Sequence, residues 1–369
     1  MLLSLPYFHI GGDEVKPTQW NQSTAIQAFA RQRGFKDAHA IQAYFNQRVQ
    51  KILEKHGKLM IGWDEILHAD LPAGTMIQSW RGPASLADAA SKGFRGILSW
   101  GYYLDHLRPA SYHYGIEPLS GPAAQLTPEQ SARILGGEAG MWAEYVSAET
   151  VDSRIWPRAA AIAERLWSTR EANDANSMYA RLEALSRQLE WIGIRRGGLA
   201  PMLDRLTGGR PADPVRVLAE ACEPLGLRYR ARAMKYTSLM PLNRFVDALP
   251  AESETVRALE QAAARMSAGD IARLRAQFTR WAGADAPFQS LAQDNFLLAE
   301  LRPASKHLSA LGSTGLRILD YLQAGQPAPA DWMAEQTKQL ARMQAPMAEV
   351  TLAAARPVKL LLDELTRRR

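Results

Sequence analysis

Apolar residues fall into two kinds of pattern along this chain, and the change from one to the other divides it. Over about the first 200 residues, short apolar runs without helical period alternate with longer stretches whose apolar positions recur three and four apart. Leu2, Leu3, Leu5, Tyr7, Phe8 and Ile10 form the first run. KLMIGWDEI, TMIQSWRG, FRGILSWGYYLDH and ARILGGEAGMWAEYV contain four more, the first two ending at Trp63 and Trp80. Runs of this kind read as buried parallel strands. Between the first two, Ile41, Tyr44, Phe45, Val49, Ile52 and Leu53 recur at helical spacing, and Gly57 stands where that helix should stop. SLADAASKG predicts a shorter helix before the fourth strand, and residues 154–167 and 178–192 predict helices after the fifth. Strand and helix in alternation specify an α/β fold with a parallel sheet and helices outside it.

Beyond about residue 200 the period is helical almost throughout. PMLDRLTGGRPADP, residues 201–214, is rich in proline and glycine and reads as a linker. Ile271, Leu274, Phe278 and Trp281 then form one apolar stripe, and Leu316, Leu319 and Leu322 belong to another. Further helices are expected over 331–343 and 358–366. The chain thus divides into residues 1–200 and an all-α domain over 201–369, in which no chemical motif stands out.

Composition narrows the picture. A chain of 369 residues with 47% hydrophobic content can bury a substantial core and has the length of two domains. The net charge of +6 comes from scattered Lys and Arg, except for Arg367–Arg369, and no nucleic-acid motif accompanies it. A solvated excess is expected, with no nucleic-acid partner. The single cysteine, Cys222, excludes an internal disulfide, no Cys/His group has zinc spacing, and neither a metal nor an organic cofactor is expected. No apolar run reaches membrane-spanning length, so no membrane partner is expected either. The opening MLLSLPYF is short, uncharged and continuous with the first strand, which argues against a signal peptide.

The candidate chemistry begins where the first strand ends. Gly11 and Gly12 let the backbone turn sharply, and Asp13 and Glu14 follow side by side. An Asp-Glu dipeptide in a turn is ordinarily a solvated pair. At the carboxyl end of a parallel strand, both acids can be aimed at one cavity. Asp64 and Glu65, after the second strand, are the rival pair, but no double glycine precedes them. Trp63, Trp80 and Trp142 each stand at or beyond the carboxyl end of a strand, where flat faces can line a pocket. Trp156 and Trp167 lie in apolar helical sequence and read as packing, and Trp100 reads either way.

His9-Ile10-Gly11-Gly12-Asp13-Glu14 resembles the H-x-G-G-D-E signature of glycoside hydrolase family 20, the β-N-acetylhexosaminidases. The four later strand segments resemble that family's strands five to eight, in order. The resemblance implies an incomplete (β/α)8 TIM barrel, corresponding to strands 4–8, over residues 1–200, followed by the helical C-terminal domain. It further implies removal of terminal N-acetylhexosamine from oligosaccharides by retaining, substrate-assisted catalysis, in which the sugar's own acetamido oxygen attacks the anomeric carbon. Glu14 would be the general acid and later the base, with a raised pKa favoured by aromatic walls. Asp13 would accept the acetamido N–H, Tyr103 would donate to the amide carbonyl, and Trp63, Trp80 and Trp142 would enclose the acetamido group. Asp105 and Glu144 would hold sugar hydroxyls. His9 would either be hydrogen-bonded towards the acid pair or simply pack.

The resemblance also carries a departure. Counterparts of barrel strands one to three, and of the family's sugar-binding arginine, have no match in this sequence, so the chain by itself is expected to be a poor catalyst. Self-association through the open barrel edge or the helical domain is expected, and a remnant that binds sugar or protein is the alternative. A periplasmic or secreted setting is implied by resemblance alone.

Overall fold

A computed structural model describes residues 5–68, 71–194 and 199–368. Contacts divide the chain into two units: residues 1–103, 111–140 and 161–178 form the first, and residues 104–110, 141–160 and 179–369 form the second.

The first unit is built on a parallel sheet of β1 (Tyr7–His9), β2 (Leu59–Trp63), β3 (Met76–Ser79), β4 (Arg95–Leu98) and β5 (Ile134–Gly137), hydrogen-bonded in sequence order. Pairings such as His9↔Ile61, Ile61↔Met76 and Gln78↔Ile97 fix the register. Because every strand runs the same way, the residues that follow them start from one edge of the sheet. Central β3 is buried along its whole length. Ile77, Ile66, Met60, Leu53, Leu71 and Ala89 pack into one core under it. The helix Pro83–Ser91 returns the chain from β3 to β4, and buries Leu86, Ala89 and Ala90. β1 and β5 are the outer strands, and Phe8 and Leu135 remain exposed on them.

Several local expectations change. Leu2 and Leu3 lie outside the described residues, and β1 is a strand of only three residues. The helix that leads into β2, Ala38–Lys55, buries Gln42, Asn46 and Leu53, whereas Phe45 and Ile52 face outward. A polar residue is preferred on that inner face because Gln42 Nε2 donates to Gly12 O at 2.7 Å. Residues 154–167 split into the helices Val151–Ile155 and Arg158–Trp167, separated at Pro157, whose ring cannot continue the hydrogen-bond ladder. Trp167, expected to pack, is 94% exposed. It ends its helix on the face opposite buried Ala161, Ile162 and Arg165.

The second unit is helical. Ala268–Ala282 and Arg302–Ala324 are its central pair, with Glu254–Arg265, Ala330–Met343 and Ala355–Arg367 around them. Leu274, Phe278, Trp281, Leu308, Leu311, Leu319 and Leu361 form a buried apolar centre. Gly312 is required there, since a Cβ on it would stand 2.4 Å from Ala282 N and 2.5 Å from Phe278 O. The expected linker over 201–214 is largely structured. Leu199–Leu206 is a helix that buries Leu199, Met202, Leu203 and Leu206, and only the turn after it, with φ of +65° and +85° at Gly208 and Gly209, has linker character. Apolar spacing outweighed proline and glycine content. Among the described residues no helix is long and apolar enough to cross a membrane.

Candidate active site

The acid loop is the product of two glycines and three anchoring hydrogen bonds. Gly11 and Gly12 take φ of +73° and +100°, and a Cβ on Gly12 would lie 2.3 Å from Ile66 Cγ2. Only glycine fits there. Gly11 N–H donates to His9 Nδ1 at 3.0 Å, Trp63 N–H donates to Gly11 O at 3.0 Å, and Gln42 holds the Gly12 carbonyl. Asp13 and Glu14 leave this pinned turn together, Glu14 with φ of +47°, a conformation uncommon outside glycine. Both acids are exposed, so the expected aromatic burial of Glu14 is not seen. The reason is topological: among the described residues β1 has β2 on one side and no strand on the other.

His9 connects this loop to the middle of the sheet. Its Nδ1 accepts from Gly11, which leaves the other ring nitrogen to donate to the Gln78 side chain. The ring meets Trp63 edge-on at 5.1 Å. Burial lowers its pKa, opposed by Asp13 and by the Gln78 hydrogen bond. Gln78 in turn donates through Nε2 to Glu138 Oε1, and to Ser99 Oγ at 3.0 Å, while Ser99 Oγ donates to Glu138 at 3.1 Å. Burial raises the Glu138 pKa, opposed by Ser99. A polar line thus runs from the end of β1 across β3 and β4 to the end of β5. Sequence reasoning missed Gln78, Ser99 and Glu138. One signal was present: Gly136-Gly137-Glu138 echoes the glycine pair and acid of the first loop.

The rival acids Asp64 and Glu65 are committed elsewhere. Asp64 Oδ2 accepts the backbone N–H of Trp80 and of Arg81, both at 2.8 Å, and Oδ1 accepts from Ser85 Oγ. Glu65 accepts Trp80 Nε1–H at 3.1 Å and pairs with Arg81 at 2.7 Å. Together they fix Trp80 at the end of β3. Trp63 is the last residue of β2. Tyr103 is buried beyond β4, bridged to Gly140, where a Cβ would be 3.1 Å from its ring. Trp100 is partly exposed beside Gly82.

Asp105, Trp142 and Glu144 belong to the second unit. Asp105 is buried, its Oδ1 accepts Trp142 N–H at 3.4 Å, and its Oδ2 lies 4.0 Å from His106 Nε2 without a hydrogen-bond partner. That oxygen has acceptor capacity to offer a hydroxyl. Burial raises the Asp105 pKa, His106 opposes the rise and Glu144 adds to it. Asp105 and Glu144 line one recess with Met141, Tyr145, Arg154 and Leu227. Trp142 and Glu144 are exposed at its side. Among the described residues no group of three His, Cys, Asp or Glu side chains is placed to hold a metal.

Comparison with known proteins gives this geometry its context. Residues 1–170 match glycosyl hydrolase family 20, catalytic domain. Over these residues the chain is similar to that family's catalytic domain. The chain is 35% identical over 202 residues to β-hexosaminidase subunit alpha of Mus musculus, covering 52% of this chain and 37% of the relative. Against β-hexosaminidase subunit beta of Homo sapiens it is 37% identical over 188 residues, covering 48% and 33%. The solved structure of a Flavobacterium johnsoniae chitobiase matches with a TM-score of 0.85 and 34% identity, across 96% of this chain and 55% of the chitobiase. The chain therefore spans about a third of these curated relatives and about half of the chitobiase. The chitobiase match also takes in the helical residues beyond the family 20 segment. The five-stranded parallel sheet is consistent with part of a family 20 barrel.

Proposed function

We propose that this chain carries the acid-bearing part of a β-N-acetylhexosaminidase that removes terminal N-acetylhexosamine from glycosides by substrate-assisted catalysis with retention. On this reading β1 to β5 correspond to barrel strands four to eight. The observation that supports it most directly is the loop from Gly11 to Glu14, pinned by His9, Trp63 and Gln42 so that two adjacent carboxylates leave the carboxyl end of a parallel strand.

The roles follow from what a 2-acetamido sugar brings. Glu14 protonates the glycosidic oxygen as the acetamido oxygen attacks the anomeric carbon and the aglycone departs. Asp13 accepts the acetamido N–H and offsets the positive charge that develops on the oxazolinium ring. Tyr103 donates to the amide oxygen. Trp63, Trp80 and Trp142 shield the acetamido group, and Asp105 and Glu144 accept from sugar hydroxyls. Glu14, now a carboxylate, then takes a proton from the water that opens the ring. His9 acts on the loop rather than on the sugar.

Glu14→Gln tests this. Removal of a general acid costs about 10²- to 10⁴-fold in turnover. For aryl N-acetylglucosaminides the loss should shrink as the leaving group improves, because a good leaving group needs less protonation. An equal loss across leaving groups would remove Glu14 from the role.

A further inference from the structure

The helical region carries no catalytic motif, yet its buried charges converge on the loop that bears Trp142 and Glu144. Arg230, on the helix Leu227–Ala233, is fully buried. It donates to Asp247 Oδ1 at 2.9 Å, to Tyr236 Oη at 2.6 Å and to Glu349 Oε2 at 3.1 Å. Its guanidinium lies 4.5 Å from the ring centre of Tyr145, the residue that directly follows Glu144, and 5.0 Å from that of Tyr236. The two tyrosine rings meet edge-on at 4.6 Å. Tyr145 is therefore seated on a desolvated cation and braced from the side, a strong form of cation–π contact.

The rest of the recess is tied to the same region. Arg154 is buried and donates to the carbonyls of Leu249 at 2.6 Å and Asp247 at 2.7 Å, so Asp247 receives both arginines. Arg158 holds the segment of Asp105 by donating to Leu104 O at 2.8 Å and Arg108 O at 3.0 Å. Gly226, just before the Arg230 helix, lies against the His106 carbonyl, where a Cβ would stand at 2.4 Å. One short helix thus supports both sides of the recess, with Gly226 under Asp105–His106 and Arg230 under Tyr145. Buried ion networks contribute little net stability against apolar alternatives, and their best-attested use is to fix one arrangement. Here the fixed element is the loop 141–146.

We propose that Arg230 is a positioning residue that sets Glu144 through Tyr145, so that the helical region forms the floor of the hydroxyl-binding recess. The helices then serve the recess directly, by holding the loop that carries Glu144 on the recess that Asp105 also lines. The chemistry of the recess rests on the hexosaminidase reading, whereas the positioning of the loop does not.

The test uses the whole chain with Tyr145→Ala, Tyr145→Phe, Arg230→Lys, Glu144→Gln and the double variant Tyr145→Ala/Glu144→Gln. Hydrogen exchange of segment 141–146 is read by mass spectrometry beside that of β3. Loss of a desolvated cation–π seat should speed exchange of 141–146 about tenfold in Tyr145→Ala and leave β3 unchanged. Tyr145→Phe, which keeps the ring, should match the unaltered protein, and Arg230→Lys, which loses the flat guanidinium, should follow Tyr145→Ala. Unaltered exchange in Tyr145→Ala, or faster exchange spread over the whole chain, overturns the proposal. With an aryl N-acetylglucosaminide, Tyr145→Ala should raise KM about tenfold with kcat little changed, and the double variant should cost no more than Glu144→Gln alone. Additive costs overturn it as well. Absence of turnover by the unaltered chain bears on the catalytic competence of this part alone, and hydrogen exchange still decides the role of Arg230.

Discussion

Asp64→Ala should separate the support of Trp80 from the chemistry of the acid pair. Asp64 is 7% exposed and accepts two backbone N–H groups at 2.8 Å together with the Ser85 hydroxyl. Its removal strands the Trp80 N–H in a partly buried setting, where an unsatisfied donor costs about 1–3 kcal/mol. Water can reach Arg81, which is exposed, so its N–H should add less. The total is about 2–4 kcal/mol, and at about 2–4 °C per kcal/mol the melting temperature should fall by on the order of 10 °C. Asp64→Asn keeps one acceptor oxygen and should lose roughly half as much. Trp80 retains its Glu65 hydrogen bond in both variants, so the indole is displaced rather than released. Michaelis constants for N-acetylhexosaminides should rise about tenfold, or about 1.4 kcal/mol. Urea melts followed by fluorescence give the stability term, and steady-state kinetics give the second. A loss below about 1 kcal/mol for Asp64→Ala, or equal losses for Ala and Asn, would refute the count of hydrogen bonds.

Three further outcomes follow from particular contacts. Gly312→Ala should destabilise the helical unit by about 1–3 kcal/mol, because its methyl meets backbone at 2.4 and 2.5 Å, and an unchanged urea midpoint would contradict that packing. Burial raises the Asp105 pKa above its ordinary 3.8, so the folded state holds that proton more tightly and stability is lost as pH rises through the raised value. Asp105→Asn lacks this loss, so its stability relative to the unaltered protein should increase across that window and level off above it; a flat difference from pH 3 upward would exclude the effect. Gln78→Leu removes the link between His9 and Glu138 and should lower kcat about tenfold with a melting curve that moves little, whereas an unchanged kcat would leave the polar line without a role.

What could be read beforehand was whatever is local. The five strand runs are apolar over a few residues and stop at glycine, tryptophan or acid, and each yields a strand. The acid loop was legible because glycine at positive φ and neighbouring carboxylates are adjacent in sequence. Properties set by distant partners were not legible. Gln42 faces inward because Gly12 needs a donor, and this turns Phe45 and Ile52 outward although their spacing suggests a core stripe. Residues 201–214 carry the composition of a linker, yet Met202, Leu203 and Leu206 find a core contributed by residues far along the chain. Gln78 and Glu138 are ordinary polar residues until the sheet brings β3 and β5 to the same line as His9. Arg230, Asp247 and Glu349 are separated by up to 119 positions, and their convergence beneath Tyr145 has no sequence signature.

The central claim is that the acetamido group of the substrate supplies the nucleophile beside Asp13 and Glu14. Titration calorimetry with a thiazoline analogue of the cyclised intermediate, set against N-acetylglucosamine, addresses it most directly. A site shaped for the oxazolinium should bind the thiazoline at least about 10²-fold more tightly. Equal affinity for the two, or binding of N-acetylglucosamine without the thiazoline, would contradict the account.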